Sequence, residues 1–392
     1  MKNAGSFERE LVHVLTWRLF DYQGNGLTYG GVQRWILAFA DILNRSGHPV
    51  LVHQRAEREF NRSISPGLGV RGHKAATNAT GSPWFNARAH RAIEPGAPVL
   101  YMSEDLCYPF CRKRSIVVNH GIWWDGGYGW TKLRIAEHIV RHAVKASAAT
   151  ICVDTNFINW LRARYSESCF DDKLHHVTNF IDPGQWGPQP EKPAALSTPG
   201  GRIAICFPRR SEPRRGIYLM TEVAPRLAER FADVDFRFVV GSGYHTEALR
   251  RRLRATSLSA QRWSLEVLPF ERMDEAYRGS AIVVIPTIAG EGTSLAAIEA
   301  MYFGCALVTT WVGGLGGMVQ DGHNGLLIAP RANDLEAALA RLIEDPGLRS
   351  SLGENALKVA RESYCIEHWR ERLAPVLEGA LGLRTRMDLQ YG

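Results

Sequence analysis

The sequence predicts a two-domain α/β protein in which each domain is built on a doubly wound parallel sheet. The chain has 392 residues, which is too long for one ordinary hydrophobic core. Short apolar runs alternate with amphipathic helical stretches in both halves, as in strand–helix–strand units. A segment rich in proline and glycine, residues 183–201, separates the two series and predicts an interdomain linker.

These patterns also set the domain limits. The expected units are a first domain, a linker, a second domain and a last helix that returns to the first domain: residues 1–183, 184–201, 202–365 and 366–392. In an architecture of this kind the carboxyl ends of the strands face a shared cleft, and ligands bind at those strand ends.

The first domain begins with a strand, a glycine-rich loop, a helix and a second strand, which together form one βαβ unit. The predicted elements are Leu11–Trp17, Gly24–Gly31, Val32–Arg45 and His48–Gln54, followed by strands at Val99–Met102, Ser115–Asn119 and Ala149–Asp154. Residues 55–97 are polar and weakly periodic, so we expect a long loop or an irregular insertion there.

The second domain repeats the alternation from residue 202 onward. Strands are predicted at Ile203–Phe207, Asp235–Gly241, Ser264–Leu268, Ala281–Pro286, Ala306–Thr310 and Asn324–Ile328. Helices are predicted at Ile217–Phe231, Thr246–Arg254, Met273–Gly279, Leu295–Phe303 and Ala332–Glu344, and two further helical stretches follow.

The composition indicates a globular enzyme, with 45% hydrophobic and 10% aromatic residues. No apolar run approaches the roughly 20 residues that span a bilayer, and the N-terminus lacks the organisation of a signal peptide. We therefore expect a cytoplasmic protein. The seven cysteines are scattered, and His138 and His142 lack an intervening glutamate, so neither a disulfide framework nor a metal site is expected.

The formal net charge is +7, and residues 1–185 carry +6 of it. One basic cluster is Arg112-Lys113-Arg114, and a second runs from Arg55 to Lys74. Such a surface suits an anionic lipid face or a phosphorylated acceptor, while a solvated basic face explains it equally well. Nucleic acid is not an expected partner, because no nucleic-acid-binding motif accompanies the charge.

Two glutamates eight positions apart, Glu291 and Glu299, bracket the start of an apolar helix. A helix that is hydrophobic on every side is normally buried, and a buried carboxylate is costly unless it is paired. Gly292, Thr293 and Ser294 lead into this helix, where backbone amides and the helix dipole favour phosphate. We expect a nucleoside diphosphate at these amides, with the two acids holding hydroxyls at its two ends. Glu299 could instead be a core acid paired with a buried arginine.

A basic loop follows the first strand of the second domain. It holds Arg209, Arg210, Arg214 and Arg215 just before a helix. Guanidinium groups suit phosphate oxygens and could neutralise a diphosphate leaving group without a metal. A solvated basic turn is the alternative for this loop taken alone, but its place at a strand end facing the cleft favours the phosphate role.

The first domain contributes candidates to the same cleft. Gly30 and Gly31 precede a helix and allow close backbone approach to an anion or a sugar, although this signal is weak alone. His120 ends a predicted strand, and Trp123 and Trp124 follow in a glycine-rich aromatic loop. Aromatic faces suit sugar and acyl-chain contacts, so the two tryptophans are candidate acceptor-binding residues. A structural role is the alternative for all three side chains.

Together these residues resemble the retaining nucleotide-sugar glycosyltransferases of family four, which have the GT-B architecture of two Rossmann-like domains. The resemblance covers most of the chain and is strongest after residue 202. Its specific part is the E-x7-E signature on Glu291 and Glu299. The other matching segments are Gly30–Arg34, His120-Gly121, Asn179–Asp182, Arg210 with Arg215, Val312–Gly314 and Asp321–Gly325.

The resemblance implies a role for each matching residue. The implied donor-binding residues are Gly30, Gly31, Arg210, Arg215, Glu291, Gly292, Thr293, Ser294, Leu295 and Glu299, and the implied catalytic residues are His120, Glu291, Arg210 and Arg215. Glu291 would contact the donor sugar and Glu299 the ribose hydroxyls, with the base near Leu268–Phe270. Phe180 and Arg215 depart from the usual glycine and lysine, and Arg215 could alter how the diphosphate is held.

We therefore predict a retaining, metal-independent glycosyltransferase that needs no cofactor. It would move a sugar from a nucleoside-diphosphate sugar to a saccharide or a lipid-linked saccharide. The basic first domain and the tryptophans favour an acceptor in bacterial surface polysaccharide or lipopolysaccharide biosynthesis, and leave peripheral contact with the inner membrane open. The alternatives are a nucleotide-sugar epimerase, a non-catalytic nucleotide-binding protein of the same fold, and a periplasmic-type sugar-binding protein, which would need an export signal.

Overall fold

Two parallel sheets, each flanked by helices, form two α/β domains in the computed structural model, as the sequence predicts. The structure describes residues 9–77, 82–124, 129–165, 168–187, 201–241 and 244–385. Most of the predicted linker, residues 188–200, and the final residues, 386–392, lie outside the described residues. Within the described part of the chain, no helix is both long and apolar enough to cross a lipid bilayer.

Eight strands and five helices lie in the described residues of the first domain. The strands are β1 Val12–Thr16, β2 Val50–Ala56, β3 Phe60–Ser65, β4 Leu68–Lys74, β5 Val99–Tyr101, β6 Ser115–Asn119, β7 Ala149–Cys152 and β8 Leu174–His176. The helices are α1 Gly31–Arg45, α2 Ser82–Arg91, α3 Trp130–Ala146, α4 Thr155–Arg164 and α5 Pro183–Trp186. The strand order is β3-β4-β2-β1-β5-β6-β7-β8, and every pair is parallel except β3 with β4.

The expectation of an irregular insertion over residues 55–97 is wrong. This region completes β2 and contains β3, β4 and α2. β4 extends the sheet beside β2, and β3 folds back on it as an antiparallel edge strand through a turn at Gly67, whose φ is +80°. An edge strand faces water along much of its length, and most residues of β3 are exposed. The alternation of apolar and polar residues by which a strand is predicted from sequence is therefore weak over this region.

Over the part of the second domain that the structure describes, six parallel strands form one sheet in the order β11-β10-β9-β12-β13-β14. The strands are β9 Ile203–Pro208, β10 Val234–Val239, β11 Trp263–Glu266, β12 Ile282–Ile285, β13 Ala306–Thr310 and β14 Leu326–Ile328. The helices are α6 Ile217–Arg230, α7 Tyr244–Arg254, α8 Met273–Arg278, α9 Leu295–Tyr302, α10 Ala332–Glu344, α11 Pro346–Ser363 and α12 Ile366–Leu381. The predicted elements of this half agree with these bounds to within a few residues.

The last helix, α12, packs against the first domain although it follows the second domain in sequence. Its apolar side joins the first domain's hydrophobic core, where Trp369 lies edge-on to Trp35 and 4.4 Å from the Phe180 ring. Ile181 and Cys365 form a parallel β-bridge beside the start of this helix. The chain therefore crosses between the domains twice, and the two crossings are hydrogen-bonded to each other.

Three histidines form a hydrogen-bonded row across the first sheet. The rings of His13 and His53 are joined by a 2.9 Å Nδ1···Nε2 contact, and those of His53 and His73 by a second contact of the same length. All three side chains are buried. Burial lowers the pKa of His13 and of His73 to about 4 and holds the pKa of His53 well below its usual range. The three rings are therefore neutral near pH 7.

The row of three buried histidines predicts that acid destabilises the folded protein. The folded pKa of His13 and of His73 lies below the unfolded value of 6.5, so folding favours the neutral rings. The free energy of unfolding should therefore fall as the pH is lowered from about 6.5 toward 4. Denaturant titrations of the wild type and of His73→Gln across this range test the expectation, and the variant should show a shallower slope. An equal slope in His73→Gln and in His138→Gln, which changes an exposed histidine, would contradict it.

Candidate active site

The loop between β12 and α9 lies at the carboxyl edge of the second sheet. It contains Gly290, Glu291, Gly292, Thr293 and Ser294 before α9 begins at Leu295. Gly290 has φ +67°, a conformation that glycine adopts without strain. The loop is held from several sides, because the Glu291 carbonyl accepts from the Gly314 amide at 3.1 Å and the Ser294 amide donates to the Met318 sulfur.

Glu291 is buried and held by three donors. Its Oε2 accepts from Arg209, from Arg215 at 2.7 Å and from the Thr287 hydroxyl at 2.8 Å. Burial opposes ionisation of this carboxyl, but the two arginines outweigh it and lower its pKa below the ordinary value. Glu291 is therefore a carboxylate near pH 7, and it fixes two guanidinium groups beside the start of α9.

The structure corrects one predicted diphosphate contact. Arg210 is turned toward solvent and pairs with Glu212 at 3.1 Å, so it does not reach the Glu291 loop in this conformation. Arg209 lies there instead, with a buried side chain that also donates to the Ser294 hydroxyl at 2.8 Å. Arg215 lies beside Glu291 as well, and its contact with a diphosphate stays a prediction. Burial lowers its pKa to about 10, which leaves it protonated near pH 7.

Glu299 lies on the first turns of α9 with both carboxylate oxygens engaged. Arg34 of the first domain donates to Oε1, and the Tyr277 hydroxyl donates to Oε2 at 2.6 Å. The alternative given above for this residue, a core acid paired with a buried arginine, therefore describes the present conformation. Glu291 and Glu299 each bind arginine, but Glu291 pairs within its own domain and Glu299 pairs across the cleft.

His120 follows β6 and faces the Glu291 loop from the first domain. Its Nε2 atom is buried and has no hydrogen-bond partner, and burial lowers the pKa of the ring to about 4. The ring is therefore neutral at pH 7 and has an unused polar atom. Asn119 orients this turn, because its Oδ1 accepts from the Gly121 amide at 3.0 Å while its Nδ2 donates to Glu104. Burial raises the pKa of Glu104 to about 7.

The two domains meet here through glycines. A Cβ atom on Gly292 would lie 2.5 Å from the His120 carbonyl oxygen, and one on Gly121 would lie 2.7 Å from the Gly292 nitrogen. Thr293 adds two interdomain hydrogen bonds: its hydroxyl donates to the Val153 carbonyl, and its own carbonyl accepts from Asn179 at 2.7 Å. The loop that carries Glu291 is therefore pressed directly against first-domain backbone.

The remaining first-domain candidates differ in position. Gly31 starts α1 directly opposite α9, where a Cβ atom would lie 3.0 Å from a Leu295 methyl, and Gly30 precedes it in extended conformation. Trp123 is 37% exposed. Trp124 is only 2% exposed and packs against Trp160 in a small core, so the expectation that it lines an acceptor surface is wrong for this conformation. The rest of the predicted aromatic loop, residues 125–128, lies outside the described residues.

No group of three or more metal-ligating side chains is found among the described residues. The predicted independence of metal and cofactor stays a prediction.

Residues 188–359 match the family "Glycosyl transferases group 1". The second domain belongs to the group 1 glycosyltransferase family. This match includes the Arg209–Arg215 loop and both glutamates of the E-x7-E signature, which are the residues that build the site described above.

Individual relatives are similar to this chain over more residues than the segment 188–359. "Alpha-maltose-1-phosphate synthase" of Mycolicibacterium smegmatis is 28% identical over 261 residues, which cover 62% of this chain and 64% of the relative. "Phosphatidyl-myo-inositol mannosyltransferase" of the same organism is 24% identical over 342 residues, or 82% of this chain and 83% of the relative. Several other matching relatives align over only about two fifths of their length.

The solved structures show the fold. Sucrose-phosphate synthase from Thermosynechococcus elongatus superposes with a TM-score of 0.77 at 16% identity, covering 95% of this chain and 100% of that chain. The chain therefore has the GT-B fold, as predicted.

Sequence reasoning missed two residues of this group 1 glycosyltransferase site. Arg209 is the first residue after β9 and was passed over for its neighbour, although it precedes Arg215 by six positions on the same loop. Arg34 follows the Gly30-Gly31 pair by one helical turn and is buried in an otherwise apolar face of α1. A charged residue on a buried helix face is the signal that could have identified it.

The glycine contact gives a prediction for this glycosyltransferase fold. In Gly292→Ala the new methyl must push the His120 backbone away, so the free energy of unfolding should fall by about 1–3 kcal/mol. Small-angle X-ray scattering should also show a larger radius of gyration, because the two domains can no longer close fully. Gly129→Ala is the matched control, since a Cβ atom there meets nothing within 4 Å. Equal stability and size in both variants would refute the proposed close contact.

Proposed function

We propose that the protein is a retaining, metal-independent glycosyltransferase that uses a nucleoside-diphosphate sugar. The observation that carries this proposal is the cluster of Arg209, Arg215 and Glu291 at the start of α9, within the segment that matches the group 1 family. The loop 209–215 and Glu291 hold four arginines against two glutamates, a formal excess of two positive charges. A diphosphate supplies the complementary charge.

In the proposed reaction the arginines stabilise the departing nucleoside diphosphate. Negative charge grows on its phosphate oxygens as the bond to the sugar breaks. Guanidinium groups that already point at these oxygens stabilise that charge and so lower the energy of the transition state. Because Glu291 already holds both arginines in place, they need little rearrangement when the donor arrives. The start of α9 adds the positive end of a helix dipole at the same point.

His120 is proposed to contact the donor sugar or its phosphate. Its neutral ring carries an unpartnered Nε2 atom, and a sugar hydroxyl or a phosphate group could satisfy it. Closure of the domains around this turn would exclude water and limit hydrolysis of the donor.

The acceptor is proposed to be a saccharide, either free or lipid-linked, in bacterial surface polysaccharide or lipopolysaccharide biosynthesis. Exposed aromatic and basic groups of the first domain support this choice. Trp84 is 75% exposed and shares one face of α2 with Arg88 and Arg91, and Trp130 is 72% exposed at the start of α3. Aromatic rings and arginines suit a membrane surface, and we propose a cytoplasmic location with peripheral contact at the inner membrane. Sedimentation with anionic vesicles, compared with neutral ones, tests that part.

A thermal-shift panel tests the donor site. We expect one of UDP, GDP, dTDP and ADP to raise the melting temperature in the presence of EDTA, because ligand that binds only the folded protein stabilises it. The matching nucleotide sugars, tested next with candidate acceptors, separate a transferase from an epimerase, which would convert its donor without an acceptor. No shift with any nucleotide would remove the basis of the proposal.

Arg209 and Arg210 form a matched pair for a second test. Arg209→Gln should weaken binding of the nucleoside diphosphate about tenfold or more, because it loses a charge-assisted hydrogen bond worth about 1.5–3 kcal/mol. Arg210→Gln removes the same charge from the next position and should change the dissociation constant much less, since its side chain is turned to solvent. Titration calorimetry of both variants measures this difference. A larger loss in Arg210→Gln would restore Arg210 as the diphosphate contact.

A further inference from the structure

The carboxylate of Glu299 is closed to the solvent by side chains from both domains. Arg34, on α1 of the first domain, donates to Oε1, and the Tyr277 hydroxyl of the second domain donates to Oε2. The Glu299 and Arg34 side chains are 7% and 10% exposed. A ribose hydroxyl could reach this carboxylate only if one of its partners moved.

Arg34 also contacts two aromatic rings, Phe270 of the second domain and Trp186 at the end of α5. Its guanidinium lies 4.5 Å from the ring centroid of Phe270 and 5.4 Å from that of Trp186. The Tyr29 ring, at the entrance to α1, lies parallel to the Phe270 ring within 6°, with 6.1 Å between the centroids. The Phe270 ring is therefore contacted by two side chains of the first domain, the Tyr29 ring and the Arg34 guanidinium.

The space beside these contacts is small. The gap next to Arg34, lined by Gly31, Asn179 and Leu295, is too narrow to hold a water molecule. The first domain thus presents a planar ring at Phe270 and a hydrogen-bond donor at Glu299. A nucleoside would offer the same two groups, a base and ribose hydroxyls, to the same two residues.

We propose that Tyr29 and Arg34 occupy the nucleoside part of the donor site when no donor is bound, and that the donor's nucleoside displaces them. This inference rests on the proposed function and on two placements that the family resemblance implies, the ribose at Glu299 and the base near Phe270. By leaving Glu299, Arg34 frees this carboxylate for the ribose and releases the ion pair between α1 and α9. Arg34 and Tyr29 lower the apparent affinity for the nucleotide, because part of the free protein is in a conformation that cannot bind it.

The test compares two variants with two controls. Arg34→Gln removes the ion pair and Tyr29→Ala removes the ring, and Arg45→Gln and Phe110→Ala change an arginine and an exposed aromatic ring elsewhere in the same domain. The probe is whichever of UDP, GDP, dTDP and ADP stabilises the wild type most. We expect its dissociation constant to fall about threefold to tenfold in both test variants, in proportion to the gain in binding-competent protein, and to stay unchanged in the controls. Without nucleotide, Arg34→Gln should also show a larger radius of gyration than the wild type in X-ray scattering.

Failure of this inference and failure of the proposed function give different results. If the wild type binds none of the nucleotides, the proposed function fails. If the wild type binds one of them and both test variants bind it equally well or more weakly, the inference is overturned and Arg34 supports the donor rather than competing with it. Should Arg34→Gln fold poorly, Tyr29→Ala decides alone, since Tyr29 is 55% exposed and its loss leaves the core intact.

Discussion

A buried carboxylate has to be paired, and in this protein that requirement shapes the centre of the molecule. Glu291 lies on a loop enclosed by both domains, where an unpaired charge would be strongly destabilising. Arg209 and Arg215 satisfy it, and both come from the loop after β9. The pairing therefore fixes two strand-end loops of the second sheet relative to each other. It also leaves two cations next to the start of α9, where an anionic ligand would meet them.

The same loop sets how closely the domains approach. Backbone meets backbone at Gly121 and Gly292, so the separation there is decided by the absence of side chains rather than by the packing of flexible ones. α12 holds the other side of the interface through Trp369, which is buried against Trp35 and Phe180. Phe180 stands where the resemblance leads one to expect glycine, and its ring fills this contact. The interface is therefore apolar around Trp369, whereas around Gly121 and Gly292 it is formed by polar backbone groups beside the candidate site.

The sequence predicted the fold more fully than the site. Strands buried on both faces, such as β6 and β13, are continuous apolar runs, and their limits were predicted without error. The edge strand β3 was missed because its exposed residues carry no such pattern. Glu291 and Glu299 could be found because a charge in an apolar segment is conspicuous. Arg209 and Arg210 could not be separated from sequence, because at a strand end a shift of one residue reverses the direction of the side chain, and only the folded structure shows which arginine faces the site.

The partners of the acids also bear on the proposed route of transfer. A double displacement needs a carboxylate that is free to attack the sugar carbon and then to release it. All three donors to Glu291 bind one oxygen, Oε2, so moving this side chain to the sugar carbon would take it away from both arginines while charge develops on the diphosphate. Asp154, which lies beside Gly314 on the loop after β13, caps α4 by accepting a 2.9 Å hydrogen bond from the Phe157 amide. Both constraints favour reaction on the face of the sugar from which the diphosphate leaves, with Glu291 orienting the arginines rather than attacking.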